Sequence, residues 1–455
     1  MTRKYFGTDG IRTKANTGAL TPEKIVALGQ ALGHYFKQQR VANHTPMVVI
    51  GKDTRQSGYM IETALQAGLM SVGVNCILFG PMPTPGVAML TRSMRADMGV
   101  MITASHNGYS DNGIKLFSPD GFKLPDDVEK ILEGLMDDAA TIPLCVDKAV
   151  GRAKRIDDAP GRYVEFCKST LPKDFRLDGM KIVLDCANGA TYHVARSVFW
   201  ELGAEVEQIH VSPNGQNINE ACGSLHPEDL QMSVRAHKAD IGLAFDGDGD
   251  RVIVVDENGD IVDGDQLLGA IALNWQKTGR LKQNTVVATI MTNAGLEKRL
   301  SDAGIAMHRC QVGDRYVTEM LKKEGLNFGG EPNGHLICAD YNTCGDAIVA
   351  GLQALKVMRD ESCKASALGQ TFKPFPQKLE NIRFGAGVSA ENVLASAQVK
   401  EAVVQTEKLL AGKGRMVLRK SGTEPLIRLM IEAETDELLN RSLNSMAEVI
   451  RSAAI

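Results

Sequence analysis

The stretch Ile241-Gly-Leu-Ala-Phe-Asp-Gly-Asp-Gly-Asp-Arg251 decides the fold. It begins as a short apolar run and continues directly into three carboxylates that alternate with glycines. Such a run predicts a buried strand, so Asp246 falls at the carboxyl end of that strand, where α/β proteins place their ligands. The two glycines permit a tight turn that aims all three carboxylates at one point. The stretch therefore predicts an α/β domain with a polar site at one edge of its sheet.

The donor atoms of this acidic loop are all oxygens, which suit a hard divalent cation. We expect Asp246, Asp248 and Asp250 to bind Mg²⁺, with one ion per chain. An EF-hand calcium loop is an alternative because Glu257 falls at position twelve, but position six is Arg251 rather than glycine. Predicted strands, not helices, flank the loop. A solvated acidic turn without a metal is the remaining alternative.

Strands and helices alternate on both sides of this loop, which predicts α/β domains with largely parallel sheets. Apolar stripes with helical spacing predict helices at 22–39, 57–72, 192–202, 266–275 and 294–303. Short β-branched runs predict strands at 47–50, 98–103, 181–185, 285–290 and 307–312. After residue 376 the order changes to a strand, a helix at 393–410, strands at 415–418 and 426–433, and a helix at 437–453.

The length of 455 residues suggests three or four domains. Helical and strand periodicity is interrupted near 141–160, 256–263 and 364–376. We predict three related α/β domains with mixed, largely parallel sheets and a smaller α+β C-terminal domain, arranged around a central cleft. The predicted boundaries are 1–150 for the domain with the serine loop described below, 151–256 for the domain with the acidic loop, 257–370 and 371–455.

The composition limits the partners and the location of the protein. A net charge of −4 and an aromatic content of 5% argue against binding nucleic acid by bulk charge or base stacking. Nine scattered cysteines predict reduced thiols, and the N-terminus lacks an apolar export signal, so we expect a cytoplasmic protein. The longest uncharged stretch, 63–91, contains three prolines and several glycines, which predicts short elements and turns rather than a membrane span.

A serine loop, Thr103-Ala-Ser-His-Asn107, follows another predicted strand. A hydroxyl beside an imidazole can indicate a hydrolase, but the Gly-x-Ser-x-Gly elbow is absent. Ser105 can instead carry a phosphoryl group, if a metal neutralises the phosphate and a neighbouring base such as His106 takes the hydroxyl proton. This segment alone is equally compatible with a structural turn, and the acidic loop favours the carrier role.

Two further loops contain side chains that suit a sugar phosphate. Arg419-Lys-Ser-Gly-Thr-Glu-Pro425 and Arg428 offer hydroxyls, backbone N–H groups and guanidinium groups to a phosphate monoester. Gly329-Gly-Glu-Pro-Asn-Gly-His335 offers a carboxylate, an amide and an imidazole to sugar hydroxyls. A basic hairpin and an ordinary turn are the respective alternatives. A zinc site is not expected, because no finger or ribbon spacing is found among His308, Cys310, His335, Cys338 and Cys344.

The four loops, in the order serine loop, acidic loop, Glu-His loop and Arg-Ser-Gly-Thr loop, resemble the α-D-phosphohexomutase superfamily along the whole chain. Tyr5-Phe-Gly-Thr-Asp-Gly-Ile-Arg12 and Val312-Gly-Asp-Arg-Tyr-Val317 are similar to its bacterial branch that acts on glucosamine phosphate. The resemblance implies an isomerase that interconverts glucosamine 6-phosphate and glucosamine 1-phosphate. It implies a phosphoserine, a sugar bisphosphate as intermediate and activator, and a role in supplying UDP-N-acetylglucosamine and cell-wall precursors.

The resemblance also implies roles for individual residues. Ser105 would be the phosphoserine and would contribute to the metal site. Lys115 and Arg12, together with His106, would serve proton transfer and charge stabilisation. The sugar would contact Glu331, Asn333 and His335, and its non-reacting phosphate would contact Arg419, Ser421, Gly422, Thr423 and Arg428. The partner is then a small hexosamine phosphate, with no nucleic acid or membrane, and the enzyme is a monomer or a homodimer.

One departure leaves the sugar preference open. Pro332-Asn333 stand where the branch usually has Gln-Ser, although an amide still bonds a hydroxyl. A phosphoglucomutase or phosphomannomutase is therefore the first alternative. A metal-dependent sugar phosphatase, or a protein that only binds phosphate esters, is the alternative from another class. The combination of Ser105 with a second phosphate site favours the mutase.

Overall fold

The computed structural model of the protein describes residues 4–7, 9–39, 45–383, 389–420 and 426–453. The chain divides into two compact units. The first comprises Met1–Thr289 with His308–Gln370, and the second comprises Ile290–Met307 with Thr371–Ile455.

The first sheet belongs to the first unit and has seven strands. They are β1 (Phe6–Gly7), β2 (Gly10–Lys14), β3 (Met47–Lys52), β4 (Asn75–Pro81), β5 (Met98–Ile102), β6 (Asp111–Phe117) and β7 (Ala153–Arg155). Their order across the sheet is β1-β2-β6-β5-β3-β4-β7. β3 runs parallel to β4 and β5, whereas β6 is antiparallel to β5 and β2. The carboxyl ends of β3 and β5 therefore meet at one edge of this sheet.

Helices α1 (Pro22–Gln38), α2 (Ser57–Ser71), α3 (Thr84–Ser93) and α4 (Asp126–Asp137) pack around this sheet. α1 buries Ile25, Leu28 and Leu32 on one stripe, as its helical spacing predicts. Glycines let α1 and α2 approach closely, because a Cβ atom at Gly68 would lie 2.2 Å from the Val26 carbonyl oxygen.

The second sheet contains the buried strand that precedes the acidic loop. Its elements are α5 (Ala159–Ser169), β8 (Lys181–Asp185), α6 (Ala195–Glu201), β9 (Glu205–Ile209), α7 (Glu228–His237), β10 (Ile241–Phe245), β11 (Val252–Asp256) and β12 (Ile261–Val262). The strand order is β12-β11-β10-β8-β9. β10, β8 and β9 are parallel, so their carboxyl ends lie along one edge. The predicted break at 256–263 is the turn that joins antiparallel β11 and β12.

The third sheet follows with shorter strands. Its region contains α8 (Gly264–Lys277), β13 (Thr285–Thr289), α9 (Ala294–Asp302), β14 (Ala306–Cys310), α10 (Asp314–Glu324), β15 (Phe328–Gly330), β16 (Leu336–Cys338), α11 (Ala347–Glu361) and α12 (Ala365–Leu368). The strand order is β14-β13-β15-β16, and β15 is parallel to β13 and antiparallel to β16. α9 belongs to the second unit.

The second unit contains a three-stranded antiparallel sheet with the order β17-β19-β18. Its elements are β17 (Gln377–Arg383), α13 (Ala390–Ala395), α14 (Ala397–Leu410), β18 (Gly414–Lys420), β19 (Leu426–Ala433) and α15 (Asp436–Ala453). The single helix predicted at 393–410 is therefore wrong. Ser396 is extended between two helices and its hydroxyl accepts a hydrogen bond from the Val399 N–H, which starts α14 as a separate helix.

The predicted α/β fold class with a smaller C-terminal α+β part is confirmed, whereas the four domain boundaries stay predictions. The nine cysteines all lie in the described ranges and are free thiols. None of the helices in the described part of the chain combines the length and the apolar character needed to cross a membrane.

Candidate active site

The acidic loop lies directly after β10, in the middle of the second sheet. Asp246, Asp248 and Asp250 are all buried, with at most 4% of the residue surface exposed. One oxygen of each carboxylate lies within 4.8 Å of the others. The loop turns tightly because Gly249 adopts a φ of 70°, a conformation that favours glycine. The structure thus brings the three predicted metal-binding residues together at a strand end.

The close approach of three buried carboxylates favours the binding of a cation at this cluster. Oδ1 of Asp248 is buried and has no hydrogen-bond partner among the described residues, whereas Oδ1 of Asp250 lies 3.5 Å from His335 Nδ1 and 3.7 Å from Arg251 Nε. Burial, together with the charges of Asp250 and Asp248, holds the pKa of Asp246 well above its usual range. An all-oxygen donor set in which the buried Oδ1 of Asp248 lacks a hydrogen-bond partner in the described ranges fits a hard divalent cation such as Mg²⁺.

Lys115, on β6, supplies positive charge to the same cluster. Its buried Nζ lies 2.8 Å from Asp248 Oδ2, 3.0 Å from Asp250 Oδ2 and 3.3 Å from Asp9 Oδ2. Burial lowers the pKa of this amine, but the three carboxylates outweigh burial and raise the pKa of Lys115 well above its ordinary value. Lys115 is therefore a fixed ammonium ion beside the acidic loop.

Ser105 lies in the loop that follows β5, with a φ of 51° that places it in the left-handed region. Its hydroxyl donates to Asp246 Oδ2 at 2.7 Å, while His106 Nδ1 is farther away, at 3.4 Å. Arg251 Nη1 lies 2.9 Å from His106 Nδ1 and donates to it. Burial, followed by the charge of Arg251, lowers the pKa of His106 to about 4. His106 is thus neutral at pH 7, and Asp246 is the better-placed acceptor for the Ser105 proton.

Arg55 holds the serine loop in place, and the sequence analysis missed it. This arginine is completely buried. Its Nε donates to the Asp53 carboxylate at 2.8 Å. Its four remaining N–H groups donate hydrogen bonds to four backbone carbonyl oxygens, those of Ser105, Asn107, Gly108 and Asp111. Asp53 and Arg55 directly follow β3, so their place at a strand end was the available signal.

The substitution Arg55→Lys tests whether these hydrogen bonds of Arg55 position the serine loop. Lysine keeps the charge but offers three donors from one nitrogen instead of five in a planar fork, so at least two of the five oxygens that Arg55 binds lose its hydrogen bond. We expect the free energy of unfolding to fall by about 2–4 kcal/mol, measured by urea denaturation. We expect kcat to fall at least about tenfold because Ser105 is less well positioned.

Arg152→Lys is the matched control, because Arg152 is exposed on the same unit. Both its unfolding curve and its turnover should match the wild type. An Arg55→Lys variant with wild-type kcat would contradict a positioning role for Arg55.

A cavity of about 250 Å³ opens beside the acidic loop, and its lining includes Arg12, Glu331, Asn333 and His335. Oε1 of Glu331 accepts a hydrogen bond from the Gly313 N–H at 3.0 Å. His335 is almost fully buried and its Nε2 accepts from the Gly345 N–H at 3.1 Å. The Glu-His loop and Arg12 therefore share one cavity with Asp250, as the sequence-based assignment requires.

Further charged residues of the cavity were not selected from the sequence. Asp9 accepts from Arg12 at 2.7 Å and also pairs with Lys115 and Lys123, and Lys123 pairs in turn with Asp314. Three cations hold the pKa of Asp9 far below its usual range in spite of burial. Asp9 lies in the first branch-specific segment, Tyr5–Arg12, and Asp314 lies in the second, Val312–Val317. Their membership in these segments was the signal that could have selected them as site residues.

Only part of the predicted phosphate loop can be placed. Ser421, Gly422 and Thr423 lie outside the described residues. In the second unit, Arg419 on β18 and Arg428 on β19 stand directly opposite each other in the sheet register. Two like charges in such a cross-strand pair repel each other. The buried Nε of Arg428 also has no hydrogen-bond partner in the described ranges. Both observations suit an anionic ligand.

Comparison with known proteins identifies the class to which this fold and site belong. Models of the phosphoglucomutase/phosphomannomutase family match the chain at residues 3–142 for α/β/α domain I, 161–259 for domain II, 263–375 for domain III and 379–449 for the C-terminal domain. The chain belongs to this family and is a mutase.

Full-length relatives place the chain with the bacterial phosphoglucosamine mutases. It is 52% identical over 454 residues to the phosphoglucosamine mutase of Paramagnetospirillum magneticum, with 100% of both chains covered. It is also 52% identical over 451 residues to that of Caulobacter vibrioides, with 99% of both chains covered.

Solved structures agree with the fold. A phosphoglucomutase/phosphomannomutase family protein from Burkholderia thailandensis matches with a TM-score of 0.82 at 23% identity, covering 100% of this chain and 98% of that one. The N-acetylphosphoglucosamine mutase of Aspergillus fumigatus, solved in complex with GlcNAc-6P and magnesium, matches with a TM-score of 0.64 at 16% identity, covering 99% and 96%. The predicted superfamily resemblance is confirmed.

Proposed function

We propose that the protein interconverts glucosamine 6-phosphate and glucosamine 1-phosphate through a phosphoserine at Ser105 and a glucosamine 1,6-bisphosphate. The observation that carries this proposal is the buried Ser105 hydroxyl, 2.7 Å from a carboxylate of the three-aspartate cluster. The relatives named phosphoglucosamine mutase support the choice of substrate. Free thiols throughout the chain support a cytoplasmic location.

The cation of the acidic loop is proposed to be Mg²⁺, one per chain, held by Asp246, Asp248 and Asp250 together with an oxygen of phosphorylated Ser105. When bound, the ion would neutralise charge on the phosphoryl group. The buried Oδ1 of Asp248, which has no hydrogen-bond partner among the described residues, supports this assignment.

The side chains of the protein would contribute positioning and charge. In the first transfer, the bond from phosphorus to the Ser105 oxygen breaks while a bond from phosphorus to the oxygen of the free sugar hydroxyl forms, and the proton that this hydroxyl loses is balanced by the proton that the Ser105 oxygen takes up. In the return step Ser105 is the nucleophile, and Asp246 accepts its proton through the existing hydrogen bond. Lys115, as a fixed ammonium ion, would stabilise the negative charge that develops beside the acidic loop.

The two ends of the substrate would be held by different loops. Glu331, Asn333 and His335 would face the sugar hydroxyls in the cavity beside the acidic loop. Arg419 and Arg428, with Ser421, Gly422 and Thr423, would bind the non-reacting phosphate. The cross-strand pairing of the two arginines supports this role, because a phosphate dianion would offset their like charges.

Kinetics on three sugars test the substrate assignment. A 2-ammonium group gives the Glu331 carboxylate a charge-assisted hydrogen bond that a 2-hydroxyl cannot give, a difference of about 1 kcal/mol. We therefore expect kcat/KM for glucosamine 6-phosphate to exceed that for glucose or mannose 6-phosphate by about fivefold to tenfold. Glu331→Gln should narrow this gap.

Glu319→Gln, at an exposed position of the same unit, is the control and should leave the preference intact. Equal or greater efficiency with glucose or mannose phosphates would favour the phosphoglucomutase or phosphomannomutase alternative, with Asn333 as the first residue to test. Release of inorganic phosphate without isomerisation would favour the phosphatase.

A further inference from the structure

A second cluster of metal-binding side chains lies on the sheet that carries the acidic loop. Asp185 ends β8, His210 directly follows β9, and Cys222 lies between β9 and α7. One donor atom of each side chain lies within 4.8 Å of the other two. Because β8, β9 and β10 are parallel, Asp185 and His210 reach the same edge of the sheet as Asp246. The proposed mutase reaction uses none of these three side chains.

The donor atoms are placed as ligands of a common ion would be. Nδ1 of His210 lies 3.1 Å from Oδ1 of Asp185, and this contact with the carboxylate raises the pKa of His210. Two ligands of a tetrahedral zinc ion with bonds of about 2.0 Å are separated by about 3.3 Å. Cys222 and Asp185 are buried while the His210 side chain is 23% exposed, so one side of the cluster is open to a water ligand.

The groups around the cluster match the surroundings of known zinc sites. Ligating histidines usually donate their second ring N–H to a carboxylate, and Nε2 of His210 lies 3.2 Å from Oδ2 of Asp229. The Asp185 carboxylate is oriented by N–H groups of Ala187 and Gly223, each at 2.8 Å. Two carboxylates pair with His210, and the buried thiol of Cys222 adds a third kind of ligand within reach of the same point.

We propose that Asp185, His210 and Cys222 bind one Zn²⁺, with water as the fourth ligand. Sulfur and imidazole favour zinc over magnesium, whereas the all-oxygen acidic loop favours magnesium, so the two sites select different ions. On binding, the Cys222 thiol releases its proton to solvent as the zinc–thiolate bond forms. The proposal does not depend on which sugar phosphate is the substrate.

The ion would act on the serine loop through the backbone. The Asn188 N–H donates to the carbonyl oxygen of His210 at 2.8 Å, and the Asn219 N–H donates to that of Ala187 at 2.9 Å. The Asn219 side-chain amide donates in turn to the Ser105 carbonyl oxygen at 2.8 Å. Zinc would therefore stiffen a segment that supports the serine loop.

Metal binding to the full-length, metal-stripped protein tests the proposal. With Mg²⁺ in large excess to occupy the acidic loop, calorimetry should detect one Zn²⁺ per chain with release of a proton. Co²⁺ should give a thiolate-to-cobalt charge-transfer band. Cys222→Ser should remove that band, and His210→Gln should weaken zinc binding by at least about 100-fold. Cys363→Ser, a half-buried thiol elsewhere on the same unit, should leave both signals unchanged.

Asp246→Asn separates the two sites, because it alters the acidic loop and should leave zinc binding intact. Zinc binding that is lost in Asp246→Asn, or a thiolate band that persists in Cys222→Ser, would overturn the proposal. So would the absence of binding in the wild type. If Cys222→Ser does not fold, His210→Gln decides, because the partly exposed His210 is less important for packing.

Discussion

Ser105→Ala eliminates the phosphoprotein and lowers mutase turnover by at least about 10³-fold, since removal of a nucleophile in other enzymes costs more than that. The hydroxyl is the only group at this position that can form a phosphate ester, and its partner Asp246 cannot replace it. Intact-mass measurement before and after addition of a hexose bisphosphate checks the first effect. Coupled kinetics with glucosamine 6-phosphate check the second.

Ser110→Ala is the matched control, because Ser110 lies near Ser105 in the chain and is exposed. It should keep one phosphoryl group per chain and wild-type turnover. Phosphorylation that survives in Ser105→Ala, or mapping of the phosphoryl group to another residue, would refute the carrier role.

Asp248→Asn lowers turnover by about 10²–10³-fold and raises the Mg²⁺ concentration for half-maximal activity at least about tenfold. Oδ2 of Asp248 accepts from Thr84 Oγ1 at 2.6 Å and from Lys115 at 2.8 Å. An amide can keep the shape of this contact but not its charge, so both Lys115 and the cation lose an anionic partner. Activity titrations with Mg²⁺ measure both effects.

Asp260→Asn provides the comparison, because Asp260 is an exposed carboxylate beyond the acidic loop. Its Mg²⁺ titration should match that of the wild type. Wild-type activity of Asp248→Asn at limiting Mg²⁺ would mean that the acidic loop does not hold the ion.

The parts of the site at strand ends could be predicted from the sequence. Ile241–Phe245 and Met98–Ile102 are buried strands, and polar residues follow each of them directly. Local apolar runs and the polar residues that follow them are visible without knowledge of tertiary contacts. The positions of Asp246 and Ser105 at two sheet edges follow from this pattern alone.

Other parts depend on contacts between distant segments. Arg55 binds mainly backbone carbonyl oxygens, and the backbone leaves no residue pattern from which such a partner can be inferred. The cluster of Asp185, His210 and Cys222 exists because β8 lies between β10 and β9, a strand order that chain order does not show. The sequence predicts one helix where there are two, because the apolar spacing continues across Ser396. The signal of the break between the two helices is the Ser396 hydroxyl, which caps the second helix.

The way in which Arg55 grips the serine loop bears on protein engineering. Four of its five contacts are to main-chain oxygens, so these contacts do not depend on which side chains the loop carries at those four positions. A Cβ atom added at Gly108 meets no described atom within 4 Å. This position can therefore carry a fluorescent label, introduced through a new cysteine, three residues from Ser105. Once the partly exposed thiols Cys145 and Cys363 are replaced, a label at this position would lie close to Ser105 and would sense a phosphoryl group on it.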